Sequence, residues 1–371
     1  MIVGVPKEVK VREYRVGMVP GGVKLLVDRG HQVWVEKGAG LGSGISDDQY
    51  KAAGAQFAKD IQDVYKRADM IVKVKEPIEV EYDLIRENQI IYTYLHLAAD
   101  LRLTQKLIER KCIAIGYETI QLGDGSLPLL KPMSEVAGRM SIQVGAATLE
   151  KEHGGKGVLL GGVPGVRRGR VTIIGAGVVG LNACKMAVGL GAEVTLLDIN
   201  LLTLNYLDDI FGNRINTLFS DADNISKSVR RADLVVGGVL IPGAKAPMLV
   251  SAKLISEMEE GSVVVDVAVD QGGCIETVHP TTHDNPTFVK HGVVHYGVTN
   301  MPGAVAHTST FALTNATIGF AAKLADLGAE GAARKEKPLA LGINVYKGHL
   351  TCEPVAASLS LPYRPVSEMI L

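Results

Sequence analysis

The feature that most constrains this chain is a glycine turn set between a β-branched run and an apolar helical run. Arg170-Val171-Thr172-Ile173-Ile174 leads at once into Gly175-Ala176-Gly177-Val178-Val179-Gly180, and Leu181 to Leu190 continues with helical spacing. In a chain with 42 glycines such a run says little alone, but between a strand and a helix it is specific. Gly175 makes the turn, Gly177 lets the backbone approach a diphosphate, and Gly180 permits close packing of helix on strand. The helix N-terminus then faces the phosphates. The next β-rich run, Glu193 to Leu197, ends on Asp198, about 20 residues after the turn, where a carboxylate accepts hydrogen bonds from the adenosine ribose and repels a 2′-phosphate. No Arg or Lys lies between Asp198 and Arg214. Together these residues predict NAD, rather than NADP, as cofactor.

The same alternation of short β-rich runs and longer helical patterns extends in both directions. Ile2 to Val5, His31 to Val35, Met70 to Val74, Gln89 to Tyr94 and Cys112 to Ile115 read as strands before the turn, and Glu193 to Leu197, Leu234 to Gly237, Ser262 to Asp266 and Val293 to Tyr296 after it. Such α/β alternation predicts mostly parallel sheets, here two doubly wound Rossmann-like domains with a cleft between them. The length of 371 residues agrees, since single cores stop growing at roughly 250–300. A helix is expected over Ser134 to Glu152, bridging the units and ended by His153-Gly154-Gly155-Lys156-Gly157, and another over Ser309 to Leu327. The tail, with a turn at Tyr346-Lys347-Gly348-His349, is expected to return to the first domain. The expected division is therefore 1–130 plus 306–371 for substrate and catalysis, and 131–305 for NAD. The charged run Arg334-Lys335-Glu336-Lys337 reads as a solvated loop.

Composition removes other function classes. A net charge of -1 without a basic block argues against nucleic acid. Cys112, Cys184, Cys274 and Cys352 form no C-x-x-C pair, so they read as packing thiols and no metal site is expected. Met1-Ile2-Val3-Gly4-Val5-Pro6-Lys7-Glu8 is too short in apolar length for a signal peptide, and the apolar window Val171 to Ala192 carries glycine clusters, Asn182 and Lys185. The expected chain is cytoplasmic, with a small-molecule partner and no membrane.

Ligands of open α/β sheets collect outside the carboxyl ends of the strands, so titratable groups there are candidates for chemistry. Val72-Lys73-Val74-Lys75-Glu76-Pro77 offers two lysines that strand alternation sends to one face. Leu95-His96-Leu97 follows the run ending at Tyr94. Val263 to Asp266 leads through Val267-Ala268-Val269-Asp270 into Gln271-Gly272-Gly273. Singly, His96 reads as a satisfied core histidine, Lys75 as a rim lysine and Asp270 as a turn residue; jointly, beside a nicotinamide site, they point to a reaction.

With Arg12-Glu13-Tyr14-Arg15-Val16, the Lys73–Pro77 run, Tyr94-Leu95-His96-Leu97-Ala98, the glycine turn and Val267 to Gly273, the sequence closely resembles the alanine dehydrogenase family, which includes the NAD-binding subunit of transhydrogenase. The resemblance covers essentially the whole chain. It implies a homohexamer and reversible, NAD-dependent oxidative deamination of L-alanine to pyruvate and ammonia. It makes Arg15 the clamp on the substrate carboxylate, suited to a planar guanidinium, and Lys75 a second substrate-binding group at the carbonyl of pyruvate. His96 becomes the general acid/base, a role common to imidazole, and Asp270 its catalytic companion. On the cofactor side it points to Ser134, Val178, Val179, Asp198, Ser220, Val239 and Leu240. It adds Val267, Ala268, Val269 and Asp270, then Val298, Thr299, Asn300 and Met301. At Thr203 and His279 the chain departs from the basic residues common in the family, which leaves cofactor contacts there in doubt. The transhydrogenase subunit is the alternative reading; the joint presence of Arg15, Lys75, His96 and Asp270 favours amino-acid chemistry.

Overall fold

The computed structural model describes residues 1–239 and 246–370. The chain first lays down β1 (Ile2–Val5), β2 (Gln32–Glu36), β3 (Gln56–Ala58), β4 (Met70–Val72), β5 (Ile90–Thr93) and β6 (Ile113–Gly116). It continues through β7 (Arg170–Ile174), β8 (Glu193–Asp198), β9 (Ile215–Phe219), β10 (Leu234–Gly237), β11 (Val263–Asp266), β12 (Thr287–Lys290) and β13 (Val293–Tyr296). The tail adds the hairpin β14 (Ile343–Tyr346) and β15 (His349–Leu350). The chain divides into two compact units, Met1–Met133 with Val305–Leu371, and Ser134–Ala304.

The first unit holds one sheet in the order β15-β14-β6-β5-β4-β1-β2-β3, parallel from β6 to β3 and antiparallel where β14 meets β6 and β15. The second holds β12-β13-β11-β10-β7-β8-β9, parallel except for β12 on β13. Val3, Val33, Ile71, Ile91, Ala114, Val235 and Val264 are wholly buried. Strands covered on both faces read as continuous apolar runs, which is why these β-branched segments fold as sheet interiors. In the second sheet β8 and β9 lie on one side of β7 and β10, β11 and β13 on the other, so the strand order reverses beside β7. The glycine turn leaves β7 at that switch point, where open sheets bind ligands.

Small residues set the helix packing behind this turn. In the helix Lys131–Thr148 a Cβ on Gly138 would sit 2.2 Å from Val179 O, and one on Gly145 would sit 2.6 Å from Leu234 Cδ2. Both positions need glycine because backbone or core lies directly against them. The observed helix starts and ends a few residues earlier than the sequence reading. The helix expected over Ser309–Leu327 runs from Ala306 to Lys335, broken at Gly328, whose φ is 69°. Arg334 and Lys335 therefore end a helix rather than a solvated loop, and Lys337 opens the next, Lys337–Gly342. Arg334 Nε donates to Ile370 O at 2.9 Å, tying that end to the tail. Among the described residues no helix is long and apolar enough to cross a membrane, and the four cysteines are free thiols.

Asp233, wholly buried at the start of β10, anchors the loop that precedes β7. It accepts bidentate hydrogen bonds from Arg167 Nη1 and Nη2 at 2.7 and 3.0 Å, one from Arg170 N at 2.7 Å, and an ion pair from Lys156 at 2.6 Å. Burial pushes its pKa up, but the bonds from Arg167, Lys156 and Arg170 outweigh it and hold the group at about 2, below the usual 3.8. A carboxyl whose folded pKa is depressed stabilises the fold above its unfolded value, and that contribution is lost as pH falls through the folded one. Asp233→Asn is therefore expected to lose about 1–3 kcal/mol at neutral pH. Its stability should also vary less than the wild type's between about pH 4 and pH 2. Thermal melts of both proteins across that range check this.

Candidate functional site

In the first unit four parallel neighbours, β6, β5, β4 and β1, end on the same edge, and each passes a polar group into the segment that follows. Arg15 follows β1, Lys75 follows β4, His96 follows β5 and Glu118 follows β6. Arg15 is 2 % exposed, and its guanidinium grips Glu13 through Nε to Oε1 and Nη2 to Oε2, both at 2.6 Å. Its Nη1 lies 3.2 Å from Met133 Sδ. A buried, two-point pair of this kind holds the planar fork in one orientation.

Lys75 is half-buried. Burial pushes its ammonium pKa down, the nearby positive charge of Arg15 pushes the same way, and Glu76 opposes them. Both cations therefore share one local field. Lys73 behaves differently from the alternation expected of it. β4 ends at Val72, so the two-residue period stops there, and Lys73 turns wholly inward to Glu81 Oε1 at 2.5 Å and Glu8 Oε2 at 3.4 Å. Burial alone would lower the Lys73 pKa, but these carboxylates raise it.

His96 is exposed and sits in the left-handed region, at φ 50°. Histidine tolerates that region better than most residues. The Glu118 carboxylate holds the turn, accepting from His96 N at 2.6 Å and from Leu95 N at 3.0 Å. The imidazole stacks on Tyr94, centroids 5.8 Å apart and planes 13° from parallel. Tyr94 donates to Leu129 O at 2.6 Å, and its hydroxyl pKa, raised by burial, is lowered in part by Arg15. The Tyr94 ring thus stacks on the imidazole while its hydroxyl feels the positive charge of Arg15. Glu13 lies two residues from Arg15, close enough in sequence to signal the pairing; nothing in the sequence ties Glu118 to His96.

In the second unit Gly175 takes φ 96°, and a Cβ there would lie 2.9 Å from Gly238 O. A Cβ on Gly180 would come 1.8 Å from Gly175 O, so helix and strand touch backbone to backbone. Among the described residues a Cβ on Gly177 would meet nothing within 4 Å. Gly177 also caps the helix Val178–Gly189 without a side-chain hydrogen bond to its first turn. Open space beside uncapped helix N–H groups fits a diphosphate. Val178 and Val179 are half-buried in that first turn. Asp198 ends β8 half-buried, accepting from Ala176 N at 2.6 Å and Asn200 N at 2.8 Å, so its carboxylate is fixed beside the turn. Its carbonyl accepts from Ser220 N at 3.0 Å. Ser134 and Val239 are half-buried, and Leu240 lies outside the described residues.

The segment after β11 folds around Asp266, a buried carboxylate that accepts from Ala268 N, Cys274 N and Ile275 N at 3.1, 2.8 and 3.1 Å. Ala268 and Val269 are buried, Val267 half-buried, and Asp270 is exposed on the short turn Val269–Gln271. After β13, Val298 and Met301 are buried, Thr299 is half-buried, and Asn300 takes φ 57°. Thr203 N donates to Asn200 Oδ1 at 3.2 Å at the start of the helix Leu201–Phe211, and His279 stacks on Phe288 with centroids 3.9 Å apart.

Comparison with known proteins gives this geometry its context. The family described as alanine dehydrogenase/PNT, N-terminal domain, matches residues 4–137, and its C-terminal domain matches 141–353. An alanine dehydrogenase of Methanococcus maripaludis is 56% identical over 371 residues, all of both chains. A solved L-alanine dehydrogenase superposes with a TM-score of 0.95 at 52% identity, covering 97% of this chain and 99% of that one. The transhydrogenase of Sinorhizobium meliloti superposes at 0.81 with 25% identity, covering 95% of this chain and 99% of that one. By sequence along its whole length and by fold, this chain belongs to the alanine dehydrogenase/PNT family.

Proposed function

We propose that this chain is an NAD-dependent L-alanine dehydrogenase, catalysing the reversible oxidative deamination of L-alanine to pyruvate and ammonia. The observation that carries this reading is the grouping of Arg15, Lys75 and His96 beyond one edge of the first sheet. A hydride carrier working on a second nicotinamide would have no use for that set, which sets the transhydrogenase-subunit reading aside. In this reading the first unit is the substrate and catalytic domain and the second the NAD-binding domain.

Arg15 holds the substrate carboxylate, and its fixed fork suits a planar anion. Lys75 binds beside the carbonyl oxygen of pyruvate and stabilises the negative charge that develops there on attack. His96 moves a proton to or from the oxygen of the carbinolamine, and Asp270 orients ammonia or water. Ser134, Gly175, Gly177, Val178, Val179, Gly180, Asp198 and Ser220 form the cofactor site with Val239, Leu240, Val267 to Asp270 and Val298 to Met301. When bound, NAD supplies the hydride acceptor, and the Asp198 carboxylate disfavours a 2′-phosphate. The protein works in the cytoplasm as a homohexamer.

The alanine amine must be neutral before its α-hydrogen leaves as hydride, so deamination should favour alkaline pH. Purified protein is expected to form NADH from L-alanine and NAD at alkaline pH, with far less product from NADP or L-serine. Tight NADH binding without turnover would overturn the assignment.

A further inference from the structure

Beneath Lys75 lies a buried ionic cluster that the proposed reaction does not use. Glu8, just past β1, sends Oε1 to Val74 N at 2.7 Å and to Lys75 N at 3.4 Å. Its Oε2 lies 3.4 Å from Lys73 Nζ, which also donates to Glu81 Oε1 at 2.5 Å, and Tyr65 donates to that same oxygen at 2.9 Å. The backbone between is held from other sides as well. Tyr117 donates to Lys73 O at 3.0 Å, and Thr93 Oγ1 donates to Lys75 O at 3.0 Å. The chain here is past the last paired residue of β4, and these bonds add to the two main-chain bonds that still tie it to β5, Lys73 N to Tyr92 O at 3.1 Å and Tyr94 N to Val74 O at 3.4 Å.

Burying three ionisable groups together carries a large desolvation cost, and apolar residues of the same volume are often as stable or more so. Filling the core therefore does not account for them. What the cluster defines is the path of Val74 and Lys75, because the Glu8 carboxylate binds that backbone and Lys73 in turn fixes the carboxylate.

We propose that Glu8, held by Lys73, is a positioning residue that sets where the Lys75 ammonium stands, with Thr93 acting on the Lys75 carbonyl that follows. The inference rests on the reading of Lys75 as a substrate-binding group. The charges bearing on Lys75 are Arg15, Lys10, Glu76 and Glu13, and a shifted ammonium meets them at altered distances.

The test uses the full-length protein and steady-state kinetics of pyruvate amination with Glu8→Gln, Thr93→Val and Lys75→Ala. Glu8→Gln keeps an acceptor for Val74 N but turns an amide toward Lys73. It is expected to raise the pyruvate KM on the order of ten- to a hundredfold, since small misplacements of a binding group have effects of that size. NADH affinity should stay unchanged, and the alkaline limb of the kcat/KM profile should move. Thr93→Val should raise the same KM less, without altering NADH binding. A purely structural role would lower the melting temperature and leave KM and the pH profile where they were, which overturns the proposal. Should Glu8→Gln fail to fold, Thr93→Val alone decides, by the same criterion. Lys75→Ala separates the two ideas. If it keeps the wild-type pyruvate KM, the reading of Lys75 falls and the positioning role with it; if it loses pyruvate affinity while the other variants do not, only the positioning role falls.

Discussion

Replacing His96 by asparagine is expected to abolish most turnover while leaving NADH binding and the fold as they are. Asparagine is the informative choice because the backbone here sits at φ 50°. Asparagine accepts that left-handed conformation readily, whereas alanine adds strain to the loss of the ring. In this turn Glu118 binds the backbone N–H groups of Leu95 and His96 and not the ring, so its hold on the turn survives the substitution. What disappears is a group able both to give and to take a proton. Positioned acid/base groups contribute on the order of 10²- to 10⁴-fold, and kcat for alanine oxidation should fall within that range. His96→Ala should fall at least as far. Rates measured with saturating NAD, beside a fluorescence titration with NADH, distinguish lost chemistry from lost binding. Wild-type turnover in either variant would remove His96 from the reaction.

The second large effect concerns two glycines three residues apart. Gly177→Ala adds a methyl that, among the described residues and apart from its chain neighbours, meets nothing within 4 Å. Its melting temperature should match the wild type's, yet NADH affinity should fall at least about tenfold if the diphosphate approaches that backbone, as the motif requires. Gly180→Ala places a methyl 1.8 Å from Gly175 O. Neither atom can yield without moving the end of β7 or the helix that follows it. Overpacking of this kind costs about 1–3 kcal/mol or more, so stability and NADH binding should fall together. The two variants thus separate a glycine needed for the ligand from one needed for the fold. Unchanged NADH affinity in Gly177→Ala would mean that the cofactor does not lie against this turn.

How much of this was legible beforehand depended on whether the cause was local. The expected and observed bounds of β1, β7, β10 and β13 coincide because β-branched runs between turn residues have few other ways to fold. β9 and β12, Ile215–Phe219 and Thr287–Lys290, were not anticipated: they are partly exposed, mixed in polarity, and recruited by their neighbours. Lys73 shows the limit more sharply. Two-residue alternation pairs it with Lys75, but the regular pairing ends at Val72, and a carboxylate 66 residues away in sequence helps direct the backbone beyond. Likewise His96 was conspicuous as a titratable group at a strand end, while Glu118, 22 residues on, emerges only when β5 and β6 lie side by side. Residue type announces a reacting group; the groups that orient it are found through topology.

The placement of β14 also bears on the order in which the molecule can be made. Ile343, Val345 and Tyr346 pair with Ile115, Ala114 and Ile113, so the first sheet takes its last strands from the end of the chain. The second unit, Ser134–Ala304, is contiguous and leaves the ribosome whole while β6 still has no neighbour on its outer side. During that interval β6 is an open edge of buried residues, the kind of surface that pairs with other chains. Every nascent chain carries that exposed edge for as long as it takes to synthesise the intervening unit, and only the arrival of the C-terminal hairpin closes it.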